Sequence, residues 1–216
     1  MKLLNSFGPN PRMVRMFLSE KNIQLKVVEH DILAAENRGE DYAKKNPGQQ
    51  FPALELDDGF IIAETVVMCE YLEDRYPTPS LIGTSSIERA EARMWNRRVE
   101  LKITENMYSG FRFGEGLEMF KDRMRCLPEA ADGLKASAQD GLKWFDEQIS
   151  GKEFICGDRI TLGDLVLYCC VDFAAGVGQP VDGSLKNLTQ WFARMESRPS
   201  AEASLHPGSS KLGMRG

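Results

Sequence analysis

Cysteine and histidine are scarce, and neither is spaced for disulfide or metal chemistry. The 216 residues contain five cysteines and two histidines. The cysteine number is odd, no CxxC pair occurs, and only Cys169 and Cys170 adjoin. A disulfide scaffold is therefore excluded, and reduced thiols in a cytoplasmic protein are expected. His30 and His206 have no ligand partner at metal spacing, so no metal is expected. Positive charge is not in excess: 27 Lys and Arg face 32 Asp and Glu, for a net charge of −5. That balance lacks the electrostatic footprint of a nucleic-acid binder. No run approaches the roughly 18 apolar residues of a membrane span. The start, Met1-Lys2-Leu3-Leu4-Asn5-Ser6, lacks the apolar stretch of a signal peptide. No internal repeat or low-complexity tract occurs. What is present is ordinary for a globular protein, with 42% hydrophobic and 27% charged residues. A chain of this length buries about 70% of its unfolded surface, enough for a core without cross-links.

The chain changes character near Pro77. Before it, strand-like and helix-like segments alternate. Lys2–Asn5 is a short apolar start, and Asn10-Pro11 reads as an N-cap followed by Pro in the first helical turn. Val14, Phe17 and Leu18 recur at helical spacing, and Asn22 suits a left-handed helix end. Ile23–Val27 alternates as a strand, and residues 35–46 are helix-compatible up to Asn46-Pro47-Gly48. Phe51–Leu56 and Phe60–Ile62 flank Asp57-Asp58-Gly59, a hairpin signal, and Thr65–Tyr76 is helical. The order is βαβαββα, with the last two strands antiparallel. After Pro77-Thr78-Pro79-Ser80 the strand signals stop. Helices are expected from Ile87, from about Phe111 to Arg125, from Pro128 to Ile149, after Thr161, and around Trp191. Ile87, Ala90, Met94 and Leu101 are the expected inner stripe of the first. The expected division is an α/β domain over 1–78, a linker over 79–86, an all-helical domain over 87–204, and a loosely held tail over 205–216.

This layout, with four local motifs, resembles the cytosolic-type glutathione S-transferases over about residues 2–200. The motifs are Asn5–Arg15 after the first strand, Gln50-Phe51-Pro52-Ala53-Leu54, Ala63-Glu64-Thr65, and Gly157–Asp164. The resemblance implies a thioredoxin-like N-terminal domain that binds glutathione and a helical C-terminal domain. It implies a cis-Pro52, with the Phe51 backbone pairing with the cysteinyl backbone of glutathione and Gln50 helping to hold it. The bland alternative is that Phe51-Pro52 merely begins a strand. The resemblance gives Glu64 and Thr65 to the γ-glutamyl end, a role suited to an ammonium and a carboxylate beside free helix N–H groups. The alternative for that pair is ordinary capping. Arg38, Lys44 and Lys45 lie in the segment that would meet the glycyl carboxylate. Within the last motif, Thr161–Asp164 is helix capping and carries no catalysis.

The thiol-activating loop departs from the family pattern. Glutathione's thiol is only a few per cent ionised at neutral pH, so a transferase must stabilise its thiolate. Aligning Arg12–Arg15 with the arginine-rich helix start of relatives places the family's tyrosine position at Leu4 and its serine or cysteine position at Gly8. Neither has a side-chain donor. Gly8-Pro9-Asn10 is similar to the Thr-Pro-Asn loop of some bacterial relatives, which makes Asn10 the first candidate donor to sulfur and Ser6 the second. The Gly8 and Asn10 backbone N–H groups are further candidates. Against these, Asn10 can serve as an N-cap and Ser6 can satisfy loop backbone. No cysteine lies in this loop. The five thiols read as small apolar residues.

The resemblance implies a small hydrophobic electrophile as second substrate, held between the domains, with Trp95, Tyr108 and Phe113 as an apolar wall unless they are core. It also implies a cytoplasmic homodimer engaged in detoxification, without nucleic-acid or membrane partners. Conjugation of glutathione to the electrophile is the expected function. The alternatives are a non-catalytic glutathione or ligand binder of the same fold, and a glutathione-dependent reductase or peroxidase.

Overall fold

The computed structural model describes residues 1–216, apart from the side chains of Ser210 and Leu212. It divides into two compact units: Met1–Ile82 with Pro199–Gly216, and Gly83–Arg198. The first boundary, between Ile82 and Gly83, falls inside the expected linker, whereas the second lies at Pro199, ahead of the expected tail. The segment expected as a loose tail belongs to the first unit.

The first unit has a four-stranded sheet, ordered β2-β1-β3-β4. Its strands are β1 (Lys2–Asn5), β2 (Lys26–Glu29), β3 (Ala53–Glu55) and β4 (Ile61–Ile62). β1 and β2 are parallel, and β1–β3 and β3–β4 are antiparallel. Helices α1 (Pro9–Glu20), α2 (Glu40–Lys45) and α3 (Thr65–Arg75) complete the βαβαββα order. β1 and β3 are central, and Leu3, Leu4, Ala53 and Leu54 are buried, as strands covered on both faces require. β2 starts three residues later than the alternation of Ile23–Val27 suggests. Ile23 is buried by the turn after α1, where its N–H bonds to the Leu18 carbonyl at 2.9 Å. The expected helix over 35–46 is broken into a 3₁₀ turn, Glu36–Arg38, and α2, with Gly39 between them in extended backbone. Asn22 takes the expected left-handed conformation, with φ of 53°.

The final segment folds onto α1. It contains α10 (Pro199–Ala203) and α11 (Ser209–Leu212). Fully buried Arg12 donates to the Ala201 carbonyl at 3.1 Å, and Arg15 donates to the Ser204 carbonyl at 2.8 Å. Lys21 and Glu73 form a buried ion pair at 2.6 Å. Glu73 also accepts from Ser80 and from the Leu81 and Ile82 N–H groups, which anchors the chain leaving the unit.

The second unit is helical: α4 (Ser86–Val99), α5 (Glu105–Phe113), α6 (Leu117–Phe120), α7 (Ala131–Gln148), α8 (Leu162–Gly176) and α9 (Lys186–Glu196). α8 is buried from Leu162 to Ala174 and forms the centre. Although it carries Asp164 and Asp172, it has no exposed stripe over that span, as a helix enclosed on all sides requires. On α4 the inner face is Ala92, Trp95, Asn96 and Val99. Ile87, Ala90, Met94 and Leu101 point outward instead. Periodicity identifies a face, not the side it turns to, and a second apolar stripe lies opposite the first. α4 and α5 are joined by a π-helical turn, Glu100–Thr104. Gly141 of α7 crosses that turn so closely that a Cβ would lie 2.5 Å from the Lys102 carbonyl oxygen. The helix expected over 111–125 ends instead at Phe113, and short α6 follows Gly114 and Gly116. Cys69, Cys169 and Cys170 are buried, and Cys126 and Cys156 are half-buried.

Asp164 fixes the entry to α8. Its carboxylate accepts from the Ile155 N–H (3.0 Å), the Thr161 N–H (2.8 Å), the Thr161 hydroxyl (2.9 Å) and Trp191 Nε1 (2.9 Å). Burial pushes its pKa up, and the four donors oppose that shift. Asp164→Ala strands several buried donors at once. The expected cost is about 3–5 kcal/mol of unfolding free energy, read from urea denaturation.

Candidate functional site

The sheet register brings the separate sequence motifs together. Leu4 pairs with Ala53, Leu54 pairs with Ile62, and Asn5 pairs with Glu29. One step beyond these pairs, β1 leads into Ser6–Gly8, β3 is preceded by Pro52, and β4 leads into Ala63–Glu64. All three loops leave the same end of the sheet. α1 and α3 start from that end, so two helix N-termini, each with partial positive charge, face the same region.

The start of α1 has few donors. Gly8 is its N-cap, with φ of 131°, a conformation that L side chains rarely adopt. The Gly8 carbonyl accepts from the Arg12 N–H at 3.0 Å. Pro9 and Pro11 have no N–H. Among first-turn backbone groups, Asn10 alone therefore offers a donor not used by the helix. The helix starts two residues earlier than expected, and Asn10 is its second residue rather than its cap. Its side chain has no hydrogen bond among the described residues, so its amide is available to a ligand. Leu4, at the family's tyrosine position, is a core residue with Tyr42, Phe51 and Ala53.

Ser6 does not fit the role of sulfur donor. Its side chain is fully buried, and its hydroxyl donates to the His30 carbonyl at 2.7 Å. It ties the β1 loop to the residue after β2, which is the loop-satisfying role.

The Phe51–Pro52 peptide is cis. Phe51 is buried against Tyr42 (4.5 Å between ring centroids) and stacks on His30 (4.7 Å, 15° between planes). The Gln50 carbonyl accepts from the Tyr42 hydroxyl at 2.6 Å and from Asn46 Nδ2 at 3.0 Å. Burial pushes the Tyr42 phenol pKa up, so the group stays protonated and donates. The backbone ahead of Pro52 is thus held from behind, while the Gln50 side chain is exposed. Tyr42 and Asn46 carry this support, and neither was singled out from the sequence as a site residue. Asn46 read as a helix stop, and Tyr42 as one residue of a polar helix. The signal available was a lone aromatic one helical turn before an Asn-Pro-Gly stop.

Glu64 precedes α3 with φ of 54°, a strained conformation for a non-glycine residue. Its carbonyl accepts from the Met68 N–H at 2.9 Å, and its exposed carboxylate has no partner among the described residues. Glu64 does not cap α3 with its side chain. The Thr65, Val66 and Val67 N–H groups lie in the first turn of that helix. Arg38 Nη1 lies 3.5 Å from Gln49 Oε1, beside Gln50. Arg38 Nε is buried without a partner among the described residues. Lys45 is turned toward Glu55 at 3.4 Å, and Lys44 is an exposed residue near Glu40 and Asp41.

In the helical unit, Trp95 is core rather than wall. It is 7% exposed and packs on Trp144 at 5.9 Å, on the same helix face as Ala92 and Val99. Tyr108 lies beside Cys170 of buried α8, and burial pushes its phenol pKa well up. Phe113 is half-buried at the last position of α5. Cys69 is buried, with its sulfur 3.8 Å from Met13 Sδ, and the Asn5–Pro11 loop contains no thiol.

Fold and site together define a thioredoxin-like unit joined to a helical unit, with two helix N-termini and a cis-proline turn at one sheet end. Comparison with known proteins agrees. Residues 7–75 match the glutathione S-transferase N-terminal domain, and residues 128–199 match the glutathione S-transferase C-terminal domain. The structure of Gtt2 from Saccharomyces cerevisiae superposes with a TM-score of 0.86 at 28% identity, covering 95% of this chain and all of that one. A glutathione S-transferase domain-containing protein of Marinobacter aquaeolei gives 0.85 at 34% identity, covering 93% of this chain and all of that one. Glutathione S-transferase GstA of Escherichia coli O157:H7 is 27% identical over 207 residues, 95% of this chain and 97% of its own length. The chain belongs to the glutathione S-transferase family, and its enzyme class is that of those relatives.

Gly8→Ala tests the backbone at the start of α1. An added Cβ would meet only Pro11 Cδ, at 3.6 Å, so the cost comes from φ rather than from a clash. The expected loss is about 1–3 kcal/mol of unfolding free energy in denaturant titration.

Proposed function

We propose that this protein conjugates the thiolate of glutathione to a small hydrophobic electrophile. The observation that carries this reading is the convergence of Gly8–Asn10, Gln50–Pro52 and Glu64–Thr65 at one end of the sheet. Glutathione is an extended peptide with two carboxylates, an ammonium and a thiol. The Phe51 backbone, ahead of cis-Pro52, offers main-chain hydrogen bonds to the cysteinyl residue, with Gln50 beside it. Glu64 takes the γ-glutamyl ammonium. Thr65 and the first N–H groups of α3 take its carboxylate. Arg38 takes the glycyl carboxylate. The sulfur then lies at the start of α1, where the Gly8 and Asn10 N–H groups and the Asn10 amide stabilise the thiolate. The thiol proton passes to solvent. With an aryl halide, the thiolate electron pair forms the C–S bond, and halide leaves with the C–halogen pair.

No cysteine lies in the sulfur-binding loop, so the sulfur chemistry belongs to the ligand. That favours conjugation over a mixed-disulfide reductase. The exposed stripe Ile87, Ala90 and Met94 on α4, continued by Leu101 in the π-helical turn, supports a homodimer, since an unpartnered apolar stripe is costly in water. A cytoplasmic location fits five cysteines that form no disulfide, and a detoxifying role fits conjugation of an electrophile.

Retention on immobilised glutathione and conjugation of a generic aryl halide test the reading. Failure across a broad electrophile panel sinks it. Asn10→Ala should lower the rate at saturating glutathione about tenfold or more, with little change in glutathione affinity. Its unfolding free energy should stay within about 0.5 kcal/mol of the parent, because the amide makes no internal bond. Glu64→Ala and Thr65→Ala should instead raise the glutathione dissociation constant about tenfold, read by calorimetry.

A further inference from the structure

The loop that offers donors to the sulfur is clamped at both ends. At the far end, the Gly8 carbonyl is bound into α1. At the near end stands Arg15, whose Nη1 donates to Asn5 Oδ1 at 2.8 Å and to the Ser6 carbonyl at 3.1 Å. Its Nε donates to the Ser204 carbonyl at 2.8 Å. Arg15 lies seven residues after Gly8, about two turns, and so shares its face of α1. From there the guanidinium reaches back to the strand end. Asn5 is held in turn: its Nδ2 donates to Glu29 at 2.6 Å, and its carbonyl accepts from the His30 N–H at 3.0 Å.

Only Phe7 and Gly8 lie between the clamps. Glycine has no Cβ to restrict its peptide planes, so the direction of the Gly8 N–H is set by what holds its neighbours. A charged hydrogen bond on the Ser6 carbonyl also polarises the Ser6–Phe7 peptide. Building on the transferase reading above, we propose that Arg15 is a positioning residue for the sulfur of glutathione: its planar fork holds Asn5 and Ser6 so that the donors of Gly8 and Asn10 point at the thiolate. The geometry of the fork is required, not only its charge. Lysine supplies a point charge and cannot make two directed bonds to the loop and a third to Ser204.

The test uses the full chain and two ligands. Glutathione reports on the sulfur, and S-methylglutathione keeps every other group but has no ionisable thiol. The thiolate absorbance of bound glutathione, titrated with pH, gives the thiol pKa. In Arg15→Met it should rise by about one unit relative to the parent. The turnover number with an aryl halide at saturating glutathione should fall about tenfold. The dissociation constant for S-methylglutathione should stay within about twofold of the parent. Arg15→Lys should move the same way, since the charge alone does not restore the fork, and it decides the matter if Arg15→Met fails to fold. An unchanged thiol pKa in the folded variant overturns the proposal, as does full rescue by Arg15→Lys. Loss of S-methylglutathione binding in proportion to the lost turnover also overturns it, because the role is then general structure. A parent that binds glutathione without lowering its thiol pKa overturns the transferase reading as well, whereas a lowered parent value that persists in Arg15→Met overturns this proposal alone.

Discussion

The antiparallel pairing of β3 with both β1 and β4 is the constraint on which the site depends. β1 and β4 run the same way, so both end where β3 begins. Sequence segments some forty residues apart thereby reach one edge of the sheet. A slip of one residue in β3 would turn Leu54 to the other face and move Pro52 out of line with Asn5. Leu4 and Ala53 sit opposite each other and are both buried, so the core penalises such a slip. The register that protects the core is the register that assembles the loops. Tyr42 and Asn46 extend the same logic to the backbone just before β3, where two donors hold the Gln50 carbonyl.

A thiolate site without a hydroxyl is energetically reasonable at the start of α1. Bringing a thiol of pKa about 8.5 to mostly ionised at neutral pH needs a shift of about two units, or about 2.7 kcal/mol. A hydrogen bond to a charged acceptor contributes about 1.5–3 kcal/mol, and a helix N-terminus contributes about 0.3–1 kcal/mol more. One well-aimed amide donor with the helix behind it covers the requirement. Pro9 and Pro11 reduce the number of backbone donors in the first turn, which makes the aim of the remaining ones decisive. They also spare the helix two N–H groups that would lack intrahelical partners, and proline's fixed φ suits a first turn.

Much of this was legible in the sequence, because it rests on local chemistry. The succession of strands and helices along the first unit, the hairpin at Asp57-Asp58-Gly59, the helix starts at Thr65 and after Thr161, and the left-handed Asn22 follow from periodicity and from turn and capping preferences. Three kinds of feature were not legible. The side of α4 facing the core was hidden because Ile87–Leu101 and Ala92–Val99 are both plausible apolar stripes, and only the neighbouring helices choose between them. The choice between the two readings of Ser6 was hidden because its partner, the His30 carbonyl, is a backbone group brought near by strand pairing. The placement of the last eighteen residues, split between the expected helical domain and the expected tail, was hidden because the partners of that segment are two arginines near the start of the sequence.

Those arginines explain why the final segment is part of the site's architecture. Arg12 is fully buried, and a buried guanidinium is tolerable only where acceptors surround it. α10 and the residue after it supply them: the Ala201 carbonyl accepts from Arg12 as well as from the Ser204 hydroxyl, and the Ser204 carbonyl accepts from Arg15. Cations at a helix C-terminus also meet its partial negative charge. Gly216 completes the arrangement, since its carbonyl accepts from the His206 N–H and its backbone packs against Gly8. The Ser6–Gly8 loop is therefore braced by α1 on one side and by residues 201–216 on the other. Its geometry is a property of residues nearly two hundred positions apart, not of the loop sequence alone.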